Sequence, residues 1–206
     1  MGIGARTHPR VMSKPQRTEI LGDHIQTIHG LFTTEECDDL VRLAESIGFD
    51  AAPITTHRGF VMRPEVRNNT RVMLDDHARA LALWERLGTW VPQKRDGGVA
   101  IGLNERFRFY RYAPGQYFRW HHDGAFHRAT YEQSMVTAMV YLNDTFDGGS
   151  TEFHFGDEVE RVVPERGMVL LFDHHLLHQG APVVRGRKYV LRTDVMYRFP
   201  QPEAHA

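Results

Sequence analysis

The chain has 206 residues, of which 41% are hydrophobic and 25% are charged, and its formal net charge is -1. This size and composition fit one globular domain with an apolar core, and the near-neutral charge gives no general attraction to nucleic acid or to an anionic membrane surface. Cys37 is the only cysteine, which excludes an internal disulfide and any metal cluster held by cysteines alone.

Residues 1–20 are predicted to form a flexible tail, because Pro9 and Pro15 interrupt any amphipathic helix there. The first residues lack the apolar segment of a secretory signal, and no run approaches the roughly 20 apolar residues that span a bilayer. With the lone cysteine, these features predict a cytoplasmic protein without a membrane partner. Residues 21–206 are expected to form a single domain.

A first amphipathic helix is predicted after a short alternating strand at 24–31. Thr33 and Glu36 have the spacing of a capping box, so the helix should begin there and end at Gly48. Its expected buried stripe consists of Cys37, Leu40, Val41, Ala44 and Ile47.

A second helix is predicted from an N-cap at Asp75 or Asp76 to Leu87, with Gly88 able to end it. The positions expected to be buried recur at helical spacing: Leu81, Trp84 and Leu87. The segment 51–72 between the two helices is rich in Arg, Asn and Pro and has weak periodicity. It is therefore predicted to be loop and edge strand.

From about residue 100 the sequence consists of short β-rich runs separated by turn residues such as Gly, Pro and Asp. These runs are 106–112, 135–142, 151–155, 159–163, 168–172 and 189–199. Several short strands at regular spacing predict a sandwich or barrel, covered on one side by the N-terminal helices.

The β-rich half carries a candidate metal site. Side chains two apart on a strand share a face, so His121 and Asp123 can direct an imidazole and a carboxylate at one point. His178, far downstream, supplies a third ligand. Two histidines and one carboxylate form the facial triad of non-haem Fe(II) oxygenases, which leaves positions open for co-substrate and dioxygen.

The flanks of these three residues form an ordered series of motifs. In chain order they are Y-x-P-G-Q-x-F-x-x-H-x-D-G, Y-L-N, F-x-G-G-x-T-x-F, G-x-x-L-L-F and H-x-G-x-P-V-x-x-G-x-K-Y. This series, over about residues 106–199, resembles the prolyl 4-hydroxylase-like branch of the Fe(II)/2-oxoglutarate-dependent dioxygenases. The resemblance implies a mainly β fold with flanking helices: a double-stranded β-helix, or cupin-like jelly-roll barrel, with its core at about 100–200.

Carried over by position, the resemblance makes His121, Asp123 and His178 the catalytic iron ligands. Lys188 matches the family's anchor for the distal carboxylate of 2-oxoglutarate. Arg192 competes for that role, because it lies on the same strand face and a guanidinium can bind a carboxylate through two hydrogen bonds. The phenols expected next to 2-oxoglutarate are those of Tyr112 and Tyr141.

The implied reaction is hydroxylation of an unactivated C–H bond, coupled to oxidative decarboxylation of 2-oxoglutarate to succinate and CO2. Fe(II) is the implied cofactor, 2-oxoglutarate and dioxygen are co-substrates, and ascorbate is a candidate further cofactor. Peptidyl proline, another amino-acid residue and a small molecule all stay open as primary substrate. Monomer and homodimer are both open.

Three alternatives compete with this interpretation. His174 and His178 would share a face if their segment were helical, and could then bind zinc. A jelly-roll can also bind or sense a ligand without chemistry. Finally, nucleic-acid demethylation fits a cluster of arginines, although no set of base-stacking aromatics accompanies them, so nucleic acid is not the expected partner. That cluster is Arg58, Arg63, Arg67 and Arg71.

Overall fold

The computed structural model describes residues 14–56 and 59–201. Its main elements are a larger β-sheet, a smaller β-sheet that packs on one face of it, and two helices that pack on the other face. The strands, in chain order, are β1 (Gln16–Leu21), β2 (Ile25–His29), β3 (Asp50–Ala51), β4 (Ile54–Thr56), β5 (Gly59–Val61), β6 (Thr70–Asp75), β7 (Lys94–Arg95), β8 (Gly98–Leu103), β9 (Arg106–Tyr112), β10 (Phe118–His121), β11 (His127–Ala129), β12 (Glu132–Tyr141), β13 (Phe146–Gly148), β14 (Thr151–Phe155), β15 (Glu158–Val162), β16 (Val169–Asp173), β17 (His178–Gly180), β18 (Val183–Gly186) and β19 (Lys188–Arg198). The helices are α1 (Thr34–Ile47) and α2 (His77–Leu87).

Helix α1 begins and ends as predicted. The Thr33 hydroxyl accepts from the Glu36 N–H, and the Glu36 carboxylate accepts from the Thr33 N–H, which completes the capping box. Cys37, Leu40 and Ala44 are buried. The prediction for Ile47 is wrong: its side chain is 48% exposed and is absent from the core cluster, to which Ala44 is the last residue of the helix to contribute.

Helix α2 is capped by Asp76, whose carboxylate accepts from the Arg79 N–H. Its buried residues are Ala80, Leu83 and Leu87, and Trp84 packs partly against the core. The prediction for Leu81 is wrong, since that side chain is 61% exposed. The buried face includes the small Ala80. A search for large apolar residues at helical spacing passes over an alanine, so it placed the buried face too close to Leu81.

The larger sheet has the order β1-β2-β16-β12-β19-β9-β6-β3, with the long antiparallel strands β12 and β19 near its centre. One face of this sheet packs against both helices. Apolar side chains of this face and of the helices form one buried cluster, which includes Cys37, Leu83, Val72, Phe109 and Leu191. The helices therefore support the sheet from outside, as predicted.

The inner face of the larger sheet packs toward a smaller sheet with the order β10-β17-β14-β15. Tyr112, Tyr141 and Phe172 of the larger sheet form one cluster with Phe153 and Val162 of the smaller sheet. The two sheets thus enclose an interior, and the larger sheet separates this interior from the helices. This interior contains the candidate metal ligands.

Two boundaries differ from expectation. Within the predicted tail, Gln16–Leu21 forms an edge strand paired antiparallel with β2; most of its side chains are exposed, so no hydrophobic alternation reveals it. In the segment 51–72, the structure has a hairpin of β4 and β5 and the start of β6, which lies inside the sheet between β9 and β3. Residues 1–13 of the tail, and Arg58, lie outside the described residues. No described helix is long and apolar enough to cross a membrane.

Candidate active site

Two neighbouring strands of the smaller sheet bring the predicted histidines together. His121 ends β10, His178 begins β17, and the two are direct register partners with ring centroids 4.2 Å apart. Asp123 lies beyond the end of β10, where its N–H donates to the His174 carbonyl at 3.0 Å. The predicted pair His121 and Asp123 does meet at one point. The stated reason was wrong, however: β10 ends at His121, so the two residues are not on the same face of one strand.

The potential ligand atoms of the three side chains all lie within 4.8 Å of one another. His121 Nε2 is 3.8 Å from Asp123 Oδ1, and His178 Nε2 is 3.7 Å from Asp123 Oδ2. Each imidazole donates through Nδ1 to a backbone carbonyl, that of Arg119 at 2.7 Å and that of Leu176 at 2.9 Å. A carbonyl only accepts, so Nδ1 carries the proton and each Nε2 lone pair is free to bind a metal.

The electrostatics of the site favour the metal-binding protonation states. Burial, reinforced by His178, lowers the pKa of His121 to about 3, and burial also lowers the pKa of His178. For Asp123, burial opposes ionisation, but the adjacent Arg192 guanidinium holds its pKa below the usual range. At neutral pH the trio thus consists of two neutral imidazoles and one carboxylate, which is the donor set that suits Fe(II).

Two further side chains fix the Asp123 carboxylate. The Thr137 hydroxyl donates to Oδ2 at 2.6 Å, and Arg192 Nη1 lies 2.7 Å from Oδ1. Arg192 Nη2 also donates to Asp194 at 3.0 Å. Sequence reasoning missed Thr137, which reaches the site only because β12 pairs beside β19 and β16.

Lys188 lies in the same cavity with only 3% of its surface exposed. Its ammonium donates to the Gly149 carbonyl at 2.6 Å and lies over the rings of Tyr112 and Tyr141, at 5.4 and 5.3 Å from their centroids. In the described part of the chain it has no carboxylate partner, whereas Arg192 has two. Burial lowers the pKa of Lys188 to about 7, so the site can gain from a bound anion.

The two tyrosines flank this lysine with their rings. Burial raises the pKa of Tyr112 to about 12 and also raises that of Tyr141, so both phenols stay protonated. The Tyr141 hydroxyl is 2.7 Å from Thr151 Oγ1, a second site residue that sequence reasoning missed. Gly149 also has a packing role, because a Cβ there would lie 3.3 Å from the Lys188 side chain.

The alternative zinc site is not formed. Residues 174–177 connect β16 to β17 without a helix, so His174 and His178 do not share a helix face. His174 is instead buried with Nε2 3.6 Å from Asp194 Oδ1. His122 turns away from the trio and bonds through Nδ1 to the His175 carbonyl.

Comparisons with known proteins agree with this site. Residues 107–193 match the sequence profile of the 2OG-Fe(II) oxygenase superfamily. A probable prolyl 4-hydroxylase 8 of Arabidopsis thaliana is 25% identical over 194 residues, which cover 78% of this chain and 64% of the plant protein. A putative prolyl 4-hydroxylase of Acanthamoeba polyphaga mimivirus is 28% identical over 182 residues, covering 79% of this chain and 70% of the viral protein. The chain thus spans less than two thirds of the plant relative.

Solved structures share the fold. The collagen prolyl hydroxylase of Paramecium Bursaria Chlorella virus-1, in its 2OG complex, superposes with a TM-score of 0.59 at 22% identity, covering 84% of this chain and 96% of that one. A Pseudomonas putida prolyl-4-hydroxylase superposes with a TM-score of 0.62 at 20% identity, covering 86% and 94%. The predicted jelly-roll is confirmed, and so is the predicted resemblance: residues 107–193 match the 2OG-Fe(II) oxygenase superfamily, and the curated relatives are prolyl 4-hydroxylases.

Proposed function

We propose that this protein is an Fe(II)- and 2-oxoglutarate-dependent hydroxylase of the prolyl 4-hydroxylase-like branch. One observation carries the proposal: a single cavity is lined by His121, Asp123 and His178 and also by the buried cation of Lys188. A metal-ligand trio beside a buried ammonium that has no counter-ion among the described residues matches a co-substrate with one chelating end and one distal carboxylate. A metal site of purely structural role would have no need of the ammonium.

In this proposal His121 and His178 bind Fe(II) through Nε2, and Asp123 binds it through a carboxylate oxygen. Their carbonyl and hydroxyl partners keep the three groups oriented, which limits the reorganisation needed when the metal enters. When bound, Fe(II) supplies the redox chemistry by which 2-oxoglutarate, dioxygen and a substrate C–H bond give succinate, CO2 and the hydroxylated product.

Lys188 is the proposed partner of the distal carboxylate of 2-oxoglutarate. Its ammonium has three N–H donors, and Gly149 is the one acceptor that the described residues offer it. Arg192 is the weaker candidate, because Asp123 and Asp194 already occupy its guanidinium. We assign Arg192 to charge balance around Asp123.

Further properties are proposed by analogy with the branch or from composition. Ascorbate is a candidate cofactor, and peptidyl proline, another amino-acid residue or a small molecule is the candidate substrate. The lone, buried Cys37 supports a reducing, cytoplasmic location. We also propose that the described residues from Gln16 onward form one domain, which includes strand β1 and exists as a monomer or homodimer whose size gel filtration would measure.

The test is succinate formation from 2-oxoglutarate by protein loaded with Fe(II) without oxygen and then exposed to air. Asp123→Ala and His178→Ala should lose both iron and turnover, while His77→Ala, a control at an exposed position of helix α2, should behave as wild type. Full turnover with unchanged iron content in His178→Ala would refute its assignment.

A second outcome favours the rival function. If calorimetry finds no 2-oxoglutarate binding to metal-loaded wild type, and candidate substrates give no succinate, the barrel is a ligand-binding module rather than an enzyme. Unchanged circular dichroism in each variant separates loss of the site from loss of the fold.

A further inference from the structure

The metal site opens toward a second, more basic pocket. Five arginines line it, whereas Asp123 is the one carboxylate among its described lining residues. These arginines are Arg67, Arg71, Arg106, Arg108 and Arg192. A pocket beside the reacting centre with this excess of positive charge attracts an anion.

Sheet register explains how distant arginines meet. In β6, Arg71 is opposite Tyr110 of β9 and Met73 is opposite Arg108, while Arg108 is in turn opposite Arg192 of β19. Side chains two apart on a strand share a face, so these positions all point toward the interior that holds the metal trio. No local motif marks them.

Three of the five arginines already have a carboxylate partner within the fold. These ion pairs are Arg106 with Asp75 at 2.8 Å, Arg108 with Asp194 at 3.0 Å and Arg192 with Asp123 at 2.7 Å. Arg67 and Arg71 have none among residues 14–56 and 59–201. The excess charge of the pocket therefore belongs to these two side chains.

Arg67 is only 5% exposed and is held in place by aromatic rings. Its guanidinium lies 4.5 Å from the Tyr110 centroid and 4.3 Å from that of Phe118, and its Nε donates to Asn69 at 2.7 Å. Its Nη2 is buried, and no described residue forms a hydrogen bond with it. Because Phe118 stacks on His121 at 3.5 Å, one ring separates this unsatisfied donor from a metal ligand.

Arg71 is half-buried, with its guanidinium 5.2 Å from the ring centroid of Phe60. Burial lowers its pKa, and the nearby Arg67 and Arg108 lower it further. Two uncompensated guanidinium groups in a partly dry pocket are unfavourable on their own. A bound anion would relieve both the repulsion and the unmet donor of Arg67.

We propose that Arg67 and Arg71 form an anion subsite that selects a primary substrate with a carboxylate beside an apolar body. The apolar walls of the same pocket, Ile54, Phe60, Met73 and Phe126, would contact that body. A substrate segment without an acceptor would leave the buried donor of Arg67 unpaired, and a neutral acceptor would form a weaker hydrogen bond than a carboxylate. The assignment rests on the proposed function, since it places this group next to the oxidising centre.

A nucleic-acid strand fits these observations less well. Arg63 is paired with Glu65, and Arg67 is enclosed instead of lying along an open groove. A strand needs a row of exposed cations and stacking rings. The Tyr110 and Phe118 rings beside Arg67 are already covered by its guanidinium.

The test measures binding rather than turnover. Wild type is loaded with Mn(II) in place of Fe(II) and saturated with 2-oxoglutarate, so that the Lys188 region is filled. Hexanoate and its neutral analogue hexanamide are then titrated, and Mn(II)-induced relaxation of their protons gives both affinity and proximity to the metal. Variants are Arg71→Gln, Arg67→Gln and the control Arg106→Gln, whose guanidinium is already paired.

We expect hexanoate to bind at least about tenfold more tightly than hexanamide, as charge-assisted hydrogen bonds predict. Arg71→Gln should remove most of that preference, and Arg106→Gln should keep it. Equal binding of the two probes, no hexanoate binding at millimolar concentration, or an unchanged preference in both Arg71→Gln and Arg67→Gln would overturn the subsite. So would displacement of hexanoate by a single-stranded oligonucleotide. Failure of Mn(II) or 2-oxoglutarate to bind wild type, seen before any probe is added, would instead overturn the proposed function itself.

Discussion

Replacing Lys188 by methionine should stabilise the protein while removing its co-substrate site. Burial lowers the pKa of Lys188 from its ordinary 10.5 to about 7. One pKa unit corresponds to about 1.4 kcal/mol, so at pH 7 this lysine destabilises the fold by about 4 kcal/mol relative to a neutral side chain. Loss of the hydrogen bond to Gly149 costs about 1–2 kcal/mol. The net expected gain for Lys188→Met is about 2–3 kcal/mol.

The lowered pKa of Lys188 also makes the stability of the wild-type protein depend on pH. Between pH 7 and 10.5 the unfolded chain binds more protons at this lysine than the folded protein, so wild type gains stability as pH rises. The advantage of Lys188→Met should therefore shrink over that range. Urea unfolding of metal-free protein at pH 7 and pH 9.5 measures it, with the exposed Lys94→Met as control.

Binding provides the second half of the test. Lys188→Met should lose measurable 2-oxoglutarate affinity by calorimetry. Suppose the variant is less stable than wild type at pH 7, or its stability difference from wild type does not change with pH. Either result would refute the claim that Lys188 is a buried charge that destabilises the fold. Unchanged 2-oxoglutarate affinity would move the anchor role to Arg192.

Three other predictions follow from local features. In the free protein Lys188 deprotonates above about pH 7, so 2-oxoglutarate affinity should fall by up to tenfold per pH unit above it; a flat calorimetric profile from pH 6.5 to 8.5 would contradict this. Thr33→Ala removes half of the capping box and should cost about 1 kcal/mol in urea unfolding, whereas an exposed Thr18→Ala should cost little. Phe109→Ala, at a buried position between sheet and helices, should cost about 3–5 kcal/mol; a loss below 1 kcal/mol would show that this cluster is not the main core.

Sequence was informative where the cause is local. Thr33 and Glu36 interact within one turn of helix, so their spacing predicted the start of α1 correctly. The resemblance, read from short motifs that follow one another in a fixed order, selected His121, Asp123 and His178. The structure brings those three together.

Sequence was uninformative where the cause is a pairing between distant segments. Thr137 contacts Asp123 only through the register of β12, and Arg71 faces the interior only because β6 pairs with β9. Hydrophobic periodicity also misplaced Ile47 and Leu81, since which face of a helix is buried depends on the surface that it meets. These contacts depend on topology, which no short window of sequence contains.

The junction between β10 and β17 has a consequence for how this barrel holds its shape. Strand β10 is four residues long, lies at an edge of the smaller sheet, and meets β17 at only two register pairs, one of which is His121 with His178. A cation held by both imidazoles would cross-link the two strands at the point where their backbone pairing is sparse. Metal affinity and local unfolding would then be one linked equilibrium. Amide hydrogen exchange confined to β10 should slow in proportion to metal occupancy, while exchange in β12 and β19 stays unchanged.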